Sequence, residues 1–183
     1  MAEIDLPPVY TIGHSTRTID AFVDLLRVAG VRRLVDIRGI PRSRTNPQYN
    51  LDTLRATLAA RQIDHAFIPE LGGRRGRQKN VATEVNGYWE NDSFHNYADY
   101  AMSRAFRGGL AQLSALADEA SCAIMCSEAV WWRCHRRIVA DYLIAARRPV
   151  FHLMAHDRIE PATMTPGAVV EKDVLLYPAA ATT

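Results

Sequence analysis

An apolar run, Ala123-Ile124-Met125, ends at the thiol of Cys126 and the carboxylate of Glu128. After Trp131-Trp132 and Arg133 come a second thiol, Cys134, the imidazole of His135 and the guanidiniums of Arg136 and Arg137. A thiol at the end of a strand, in a loop that leads into a helix, meets exposed backbone N–H groups and the positive end of the helix dipole, and both favour its anionic form. Arg133, Arg136 or Arg137 would add to that effect. Cys126 is therefore a candidate nucleophile, with His135 or His14 as base and Glu128 as acid, base or orienting partner. A cysteine-phosphatase loop is disfavoured. It needs an arginine six residues after the thiol, whereas the first one after Cys126 is Arg133, and no glycine lies between them.

Metal ligation is the second chemistry these residues allow. Cys126, Cys134, His135 and His14 offer the sulfur and imidazole donors that suit zinc or iron. The separation of the two thiols is wider than in common zinc pairs, so the expectation is no metal and no cofactor. Helix phase points the same way. If a helix runs from Trp131 to Ala146, Cys134 lies one turn before Ile138 on the buried side, where a thiol behaves as a small hydrophobe. His135 leans toward the core with it. Cys126 is then the reactive thiol, and Cys134 supports the helix.

The elements that must position these groups follow from periodicity. Val9 to Ile12 reads as a strand that runs out into Gly13-His14-Ser15. Thr18 can cap a helix with the stripe Ile19, Phe22, Val23, Leu26, which Gly30 ends. Strands are expected over 31–38, 63–69, 122–126, 149–154 and 173–177. Helices are expected from Asn50 or Asp52 (Leu51, Leu54, Leu58), from Ser93 (Phe94, Tyr97, Ala98, Ala101), after Gly108-Gly109 (Leu110, Leu113, Leu116) and over 131–146 (Ile138, Val139, Tyr142, Leu143). Residues 74–91 are polar and aperiodic, which predicts a lid, a binding loop or disorder. Strands alternating with helices give a single α/β domain over 1–178, with a mostly parallel open sheet of about five strands and helices on both faces. A small-residue tail, 179–183, is expected to fray.

In such sheets ligands bind beyond the carboxyl ends of the strands. The groups leaving those ends are His14 and Ser15, then Asp36, Arg38, Arg42 and Arg44, then Glu70 before Gly72-Gly73, then Cys126, Ser127 and Glu128, and finally His152 or His156. Asp36 and Arg38 share a face, either as a pair on the pocket floor or as a purely structural contact. Between Val31 and Lys79 there are eleven Lys or Arg against four Asp or Glu, a local excess that attracts phosphate. Trp131 and Trp132, with Tyr88 and Trp89, could stack a base while Arg42, Arg44 and residues 74–77 hold phosphates.

The chain resembles the prokaryotic family called domain of unknown function 488. The resemblance rests on Thr11-Ile12-Gly13-His14-Ser15, Val35-Asp36-Ile37-Arg38, Pro41-Arg42-Ser43-Arg44-Thr45-Asn46-Pro47, Glu70-Leu71-Gly72-Gly73, Tyr97-Ala98-Asp99-Tyr100 and Met125-Cys126-Ser127-Glu128 with Cys134-His135-Arg136-Arg137. Cys-Ser-Glu stands where the family usually has Cys-Ala-Glu, and Asp-Ile-Arg where it has Asp-Val-Arg. The resemblance implies an α/β fold and a shared site built from these motifs, without naming a reaction.

Composition removes several classes. The 183 residues hold 48% hydrophobic residues and a net charge of +2, ordinary for a globular domain. No apolar run reaches the roughly 20 residues of a membrane helix. The acidic start, Met1 to Asp5, lacks a secretory layout, and three cysteines do not make a disulfide framework. A cytoplasmic setting is expected. The leading expectation is an enzyme for a phosphate-bearing substrate, a nucleotide or nucleic acid. Its reactive groups are Cys126 and Glu128, with His14 and Asp36 beside them. Arg38, Arg42, Arg44 and Arg136 clamp the anion, and Ser15, Glu70 and Trp132 complete the binding set. A non-catalytic nucleic-acid-binding module and a metal-dependent enzyme are the alternatives; oligomeric state stays open.

Overall fold

The structure, a computed structural model, describes residues 5–181. The start of the acidic N-terminal segment (1–4) and the end of the expected tail (182–183) lie outside the described residues. Five strands run parallel: β1 (Val9–Gly13), β2 (Arg33–Asp36), β3 (Asp64–Phe67), β4 (Cys122–Cys126) and β5 (Val150–Ala155). A sixth, β6 (Arg158–Pro161), adds antiparallel to β5, giving the order β3-β2-β4-β1-β5-β6. The sixth strand has no apolar alternation and was not expected. A separate hairpin pairs β7 (Val169–Glu171) with β8 (Val174–Leu176), so the segment expected as a further strand belongs to a second, two-stranded sheet.

Five helices cover the sheet. Helix α1 (Ile19–Val28) starts where the Ala21 N–H donates to the Thr18 hydroxyl, and it stops at Gly30, whose φ of +68° is left-handed. Helix α2 (Leu51–Ala59) joins it on one face, packing Phe22, Leu26, Leu54 and Leu58 against Ile12, Leu34 and Met125. Helices α3 (Asp92–Ala101), α4 (Arg104–Glu119) and α5 (Arg136–Ala145) cover the other face, packing on Val35, Ile37 and Ile124. Strand β4 is buried throughout and feeds both cores, Ile124 to one and Met125 to the other. Alternation along a central parallel strand covered on both faces requires this.

Two helix boundaries differ from expectation. Helix α4 runs through Gly108-Gly109, because Gly109 lets the helix close onto Ile68 and Leu71. The helix expected from Trp131 begins instead at Arg136. Trp131–Arg133 form a 3₁₀ turn, and Cys134 is extended (φ −126°, ψ 147°). The turn shifts the phase on which the placing of Cys134 rested, but Cys134 is buried all the same.

Within the 74–91 segment, residues 86–89 are tied to the core. Asn86 is buried, donating to Asp99 and accepting from the Tyr177 N–H, and the Tyr88 N–H donates to the Tyr177 carbonyl. Trp89 is buried against Phe94 and Tyr177.

His152 on β5 is buried beneath Trp131, with its Nδ1 2.7 Å from the Thr11 hydroxyl. Burial, then the charge of Arg136, lowers its pKa from 6.5 to about 4. The unfolded chain therefore binds a proton below pH 6.5 that the fold refuses until about pH 4. Stability from this group is complete above pH 6.5 and is lost as pH falls toward 4. Denaturant titrations are expected to show a loss on the order of 2 kcal/mol by pH 5 from His152 alone. Burial lowers His14 and His65 as well, which steepens the loss. His152→Gln is expected to flatten the profile, and an unchanged slope in that variant contradicts the assignment.

Candidate functional site

The site forms where the chain leaves β1 and β4. From β1 it passes to α1 on one face, and from the adjacent β4 it passes to α5 on the other. Their loops part and leave a crevice at the carboxyl ends of the strands. Pairing continues a step beyond the strands: the His14 N–H donates to the Cys126 carbonyl and the Ser15 N–H to the Ser127 carbonyl, at 2.9 and 3.0 Å. The two loops can come this close because residue 13 is glycine. A Cβ there would lie 1.8 Å from the Glu128 carbonyl oxygen.

The crevice holds a cavity of about 380 Å³, lined among others by His14, Arg38, Arg42, Arg74, Phe94, Tyr97, Cys126, Glu128, Arg133, Cys134 and His135. That is the size of a small-ligand site. Its four guanidiniums face one carboxylate, Glu128. Arg38 is fixed by Asp36, which is fully buried and takes Nε at 2.9 Å and Nη2 at 2.6 Å on separate oxygens. Arg38 Nη2 also donates to the Tyr49 carbonyl at 2.7 Å. Asp36 therefore stands behind the wall as the partner that positions Arg38, and it does not reach the cavity. Arg42, Arg74 and Arg133 are exposed, and their side chains have no hydrogen-bond or ion-pair partner among the described residues.

His14 stacks on Tyr49 (4.2 Å between ring centres). Its Nδ1 donates to the Ser15 carbonyl at 2.9 Å, so Nε2 carries the lone pair, 3.5 Å from Arg38 Nη1. Burial lowers its pKa, and the charge of Arg38 acts in the same direction. A neutral imidazole, less basic than an exposed one, is thus held with its lone pair beside an arginine.

The floor is made of sulfur and imidazole. His135 Nε2 donates to the Ile37 carbonyl at 2.8 Å, which turns Nδ1 toward Cys134 Sγ at 3.5 Å. Gly73 admits the ring, since a Cβ there would sit 2.9 Å from Nδ1. The turn carrying Gly72-Gly73 is itself held by Tyr97, whose hydroxyl donates to the Leu71 carbonyl, and by Tyr100, whose hydroxyl donates to the Glu70 carbonyl. Arg136 is 1% exposed and donates from Nη2 to the Glu128 carbonyl at 2.7 Å. Its Nε and backbone N–H both donate to Cys134 Sγ, at 3.3 and 3.4 Å. No carboxylate pairs with Arg136 among the described residues, and the side-chain acceptor of its N–H groups is the Cys134 sulfur.

Both thiols are buried and both line the cavity, so helix phase does not separate them as sharply as expected. Burial, followed by its hydrogen bond to Cys134, pushes the Cys126 thiol well above its usual range. Burial would raise Cys134 as well. The hydrogen bond from Cys126 and the charges of His135 and Arg136 outweigh it and hold Cys134 well below that range. Cys134 sits in the break before α5, facing the helix N-terminus and the Arg136 guanidinium, and both favour its anionic form.

The other expected residues divide. Glu128, Arg42 and Arg38 line the cavity, and Arg44 lines an adjoining hollow with Arg42, Ser43 and Asn50. Ser15 contributes its backbone, Glu70 is exposed outside the cavity, and Arg136 lies beneath the floor rather than in the clamp. Trp132 is exposed, edge-on to Trp131, and does not line the cavity; Trp131 is occupied by His152. Stacking between the tryptophans is thus not available there. Sequence reasoning missed Phe94 and Tyr97 as lining groups because their helical stripe assigned them to the core.

Fold and site together define an open parallel α/β protein whose polar groups converge on one crevice at the sheet's carboxyl edge. Residues 18–143 match the family described as Domain of unknown function DUF488, and the chain belongs to that family. The match covers Asp36, Arg38, the Cys-Ser-Glu loop and Cys134 to Arg136; His14 and Ser15 precede it. No curated protein and no solved structure matches the chain.

Removing Asp36 leaves Arg38 buried without its carboxylate. Asp36→Ala is expected to cost about 3–5 kcal/mol in denaturant unfolding. A cost under about 1 kcal/mol, the scale of an exposed pair, contradicts the buried pairing.

Proposed function

We propose that this protein is an enzyme acting on a phosphate-bearing substrate, a nucleotide or a nucleic-acid end, bound in the cavity at the carboxyl edge of the sheet. The observation that carries the reading is the set of three unpartnered guanidiniums, Arg42, Arg74 and Arg133, around a floor of thiol and imidazole groups. Other exposed arginines, such as Arg27, Arg55 and Arg104, are also without a carboxylate partner, but they are scattered, whereas these three converge on one cavity. Guanidiniums bind phosphate oxygens through two parallel N–H donors, which fixes orientation as well as charge.

In this reading the arginines neutralise and orient the phosphate. The His14 Nε2 lone pair accepts a proton from the attacking or leaving group, and Glu128 is the second proton-transfer group in reach of the cavity. Phe94 on the wall gives a nucleobase a face to pack on. The Cys134 sulfur lies at the floor, where the bound group comes nearest. Three free thiols and the absence of any helix long and apolar enough to cross a membrane among the described residues fit a reducing, cytoplasmic setting.

Calorimetry with inorganic pyrophosphate and with a 5′-phosphorylated dinucleotide tests the reading. Binding is expected at low salt and weakens as salt rises. Arg42→Ala, Arg74→Ala and Arg133→Ala are each expected to weaken it about 10- to 100-fold, the worth of one charged hydrogen bond. Arg147→Ala, at the far end of α5, is expected to leave it unchanged. No binding of either probe at low salt, or an equal loss in Arg147→Ala, overturns the proposal.

A further inference from the structure

We propose that Cys126, Cys134 and His135 form a binding site for a zinc-class divalent cation, with a fourth coordination position open to the arginine-lined cavity. The two Sγ atoms and one imidazole nitrogen all lie within 4.8 Å of one another. A tetrahedral zinc ion places such ligands about 3.5–3.8 Å apart. Cys134 Sγ and His135 Nδ1 already stand at 3.5 Å. The remaining distances need to close by at most about an ångström, which small side-chain rotations supply.

The donor set is oriented for ligation. Metal-bound imidazoles characteristically donate their other ring N–H to a carbonyl or carboxylate, and His135 does this toward the Ile37 carbonyl at 2.8 Å. The ring cannot swing away freely, because Gly73 closes on it from the other side. Thiolate and imidazole select zinc-class ions over magnesium or calcium. Two thiolates cancel the charge of a dication, and the Arg136 donors to Cys134 Sγ are the outer hydrogen bonds that tune such a sulfur. Three protein ligands and one vacant position is the pattern of a catalytic rather than a structural zinc site. All three ligands line the cavity, so the vacant position takes a water or an oxygen of the bound ligand. Only the identity of that fourth ligand rests on the phosphate reading above; the three-ligand site stands without it.

The test is titration of the metal-free, full-length protein with Co²⁺, whose thiolate-to-cobalt absorption reports sulfur ligation. One Co²⁺ per chain with thiolate bands is expected. Cys134→Ser and His135→Gln are expected to weaken binding by more than about 100-fold, beyond the loss of an outer hydrogen bond. Cys122→Ser removes a buried thiol at the opposite end of β4 and is expected to bind as wild type. Should Cys134→Ser fail to fold, thermal denaturation still decides. Zn²⁺ is expected to raise the midpoint of the wild type and of Cys122→Ser but not of His135→Gln. Absence of stoichiometric cobalt binding, bands of full strength in Cys134→Ser, or an undiminished Zn²⁺ shift in His135→Gln overturns the inference. Pyrophosphate is titrated into the same metal-free protein. Pyrophosphate binding without cobalt binding removes the metal site alone, and cobalt binding without pyrophosphate binding upholds it while removing the phosphate reading.

Discussion

Arg136 is the side chain on which the rest of this site depends. It is almost wholly buried and has no carboxylate partner among the described residues, and a guanidinium cannot be left in that state without a cost of several kcal/mol. Its charge is met by the Cys134 sulfur, and another of its N–H groups is met by the Glu128 carbonyl. One side chain thereby ties the loop after β4 to the start of α5. It also favours ionisation of the sulfur that receives its N–H groups.

Around that contact the site is assembled from close backbone approaches rather than from long side chains. Gly13 lets the Glu128 loop lie against the end of β1, and Gly73 lets the His135 ring seat against the turn after β3. Asp36 fixes Arg38, and Arg38 in turn faces the free lone pair of His14. Tyr97 and Tyr100 hold the Glu70–Gly73 turn from α3. Each motif thus has a physical task. Some groups face the cavity, and others stand one layer behind and hold them there.

Much of this was legible from the residues in order. Apolar runs that end in polar groups marked β1, β2 and β4 and predicted a crevice at their carboxyl ends, because a parallel sheet covered on both faces leaves little else for such groups to do. The placement of the two thiols was legible only in part, since Cys134 is buried as expected but lines the cavity beside Cys126. It depended on helix phase across Trp131–Arg133, and a 3₁₀ turn followed by an extended Cys134 resets that phase without any glycine or proline to announce it. Strand β6 was hidden for a related reason. Its pattern is set by pairing to β5 at the sheet edge and not by burial of alternate residues. Phe94 and Tyr97 show the limit of stripe reasoning, since a helix that closes a cavity puts the same stripe on the core and on the cavity wall.

In the proposed function the carboxyl edge of the sheet holds an anion site with arginines on its wall and Cys134 at its floor. Crystals soaked in tungstate, a phosphate-shaped anion with strong anomalous scattering, test it most directly. The account expects a tungsten peak inside the cavity, in contact with at least two of Arg42, Arg74 and Arg133 and above the Cys134 sulfur. A peak confined to other surface arginines, with the cavity empty at full soaking concentration, would contradict it.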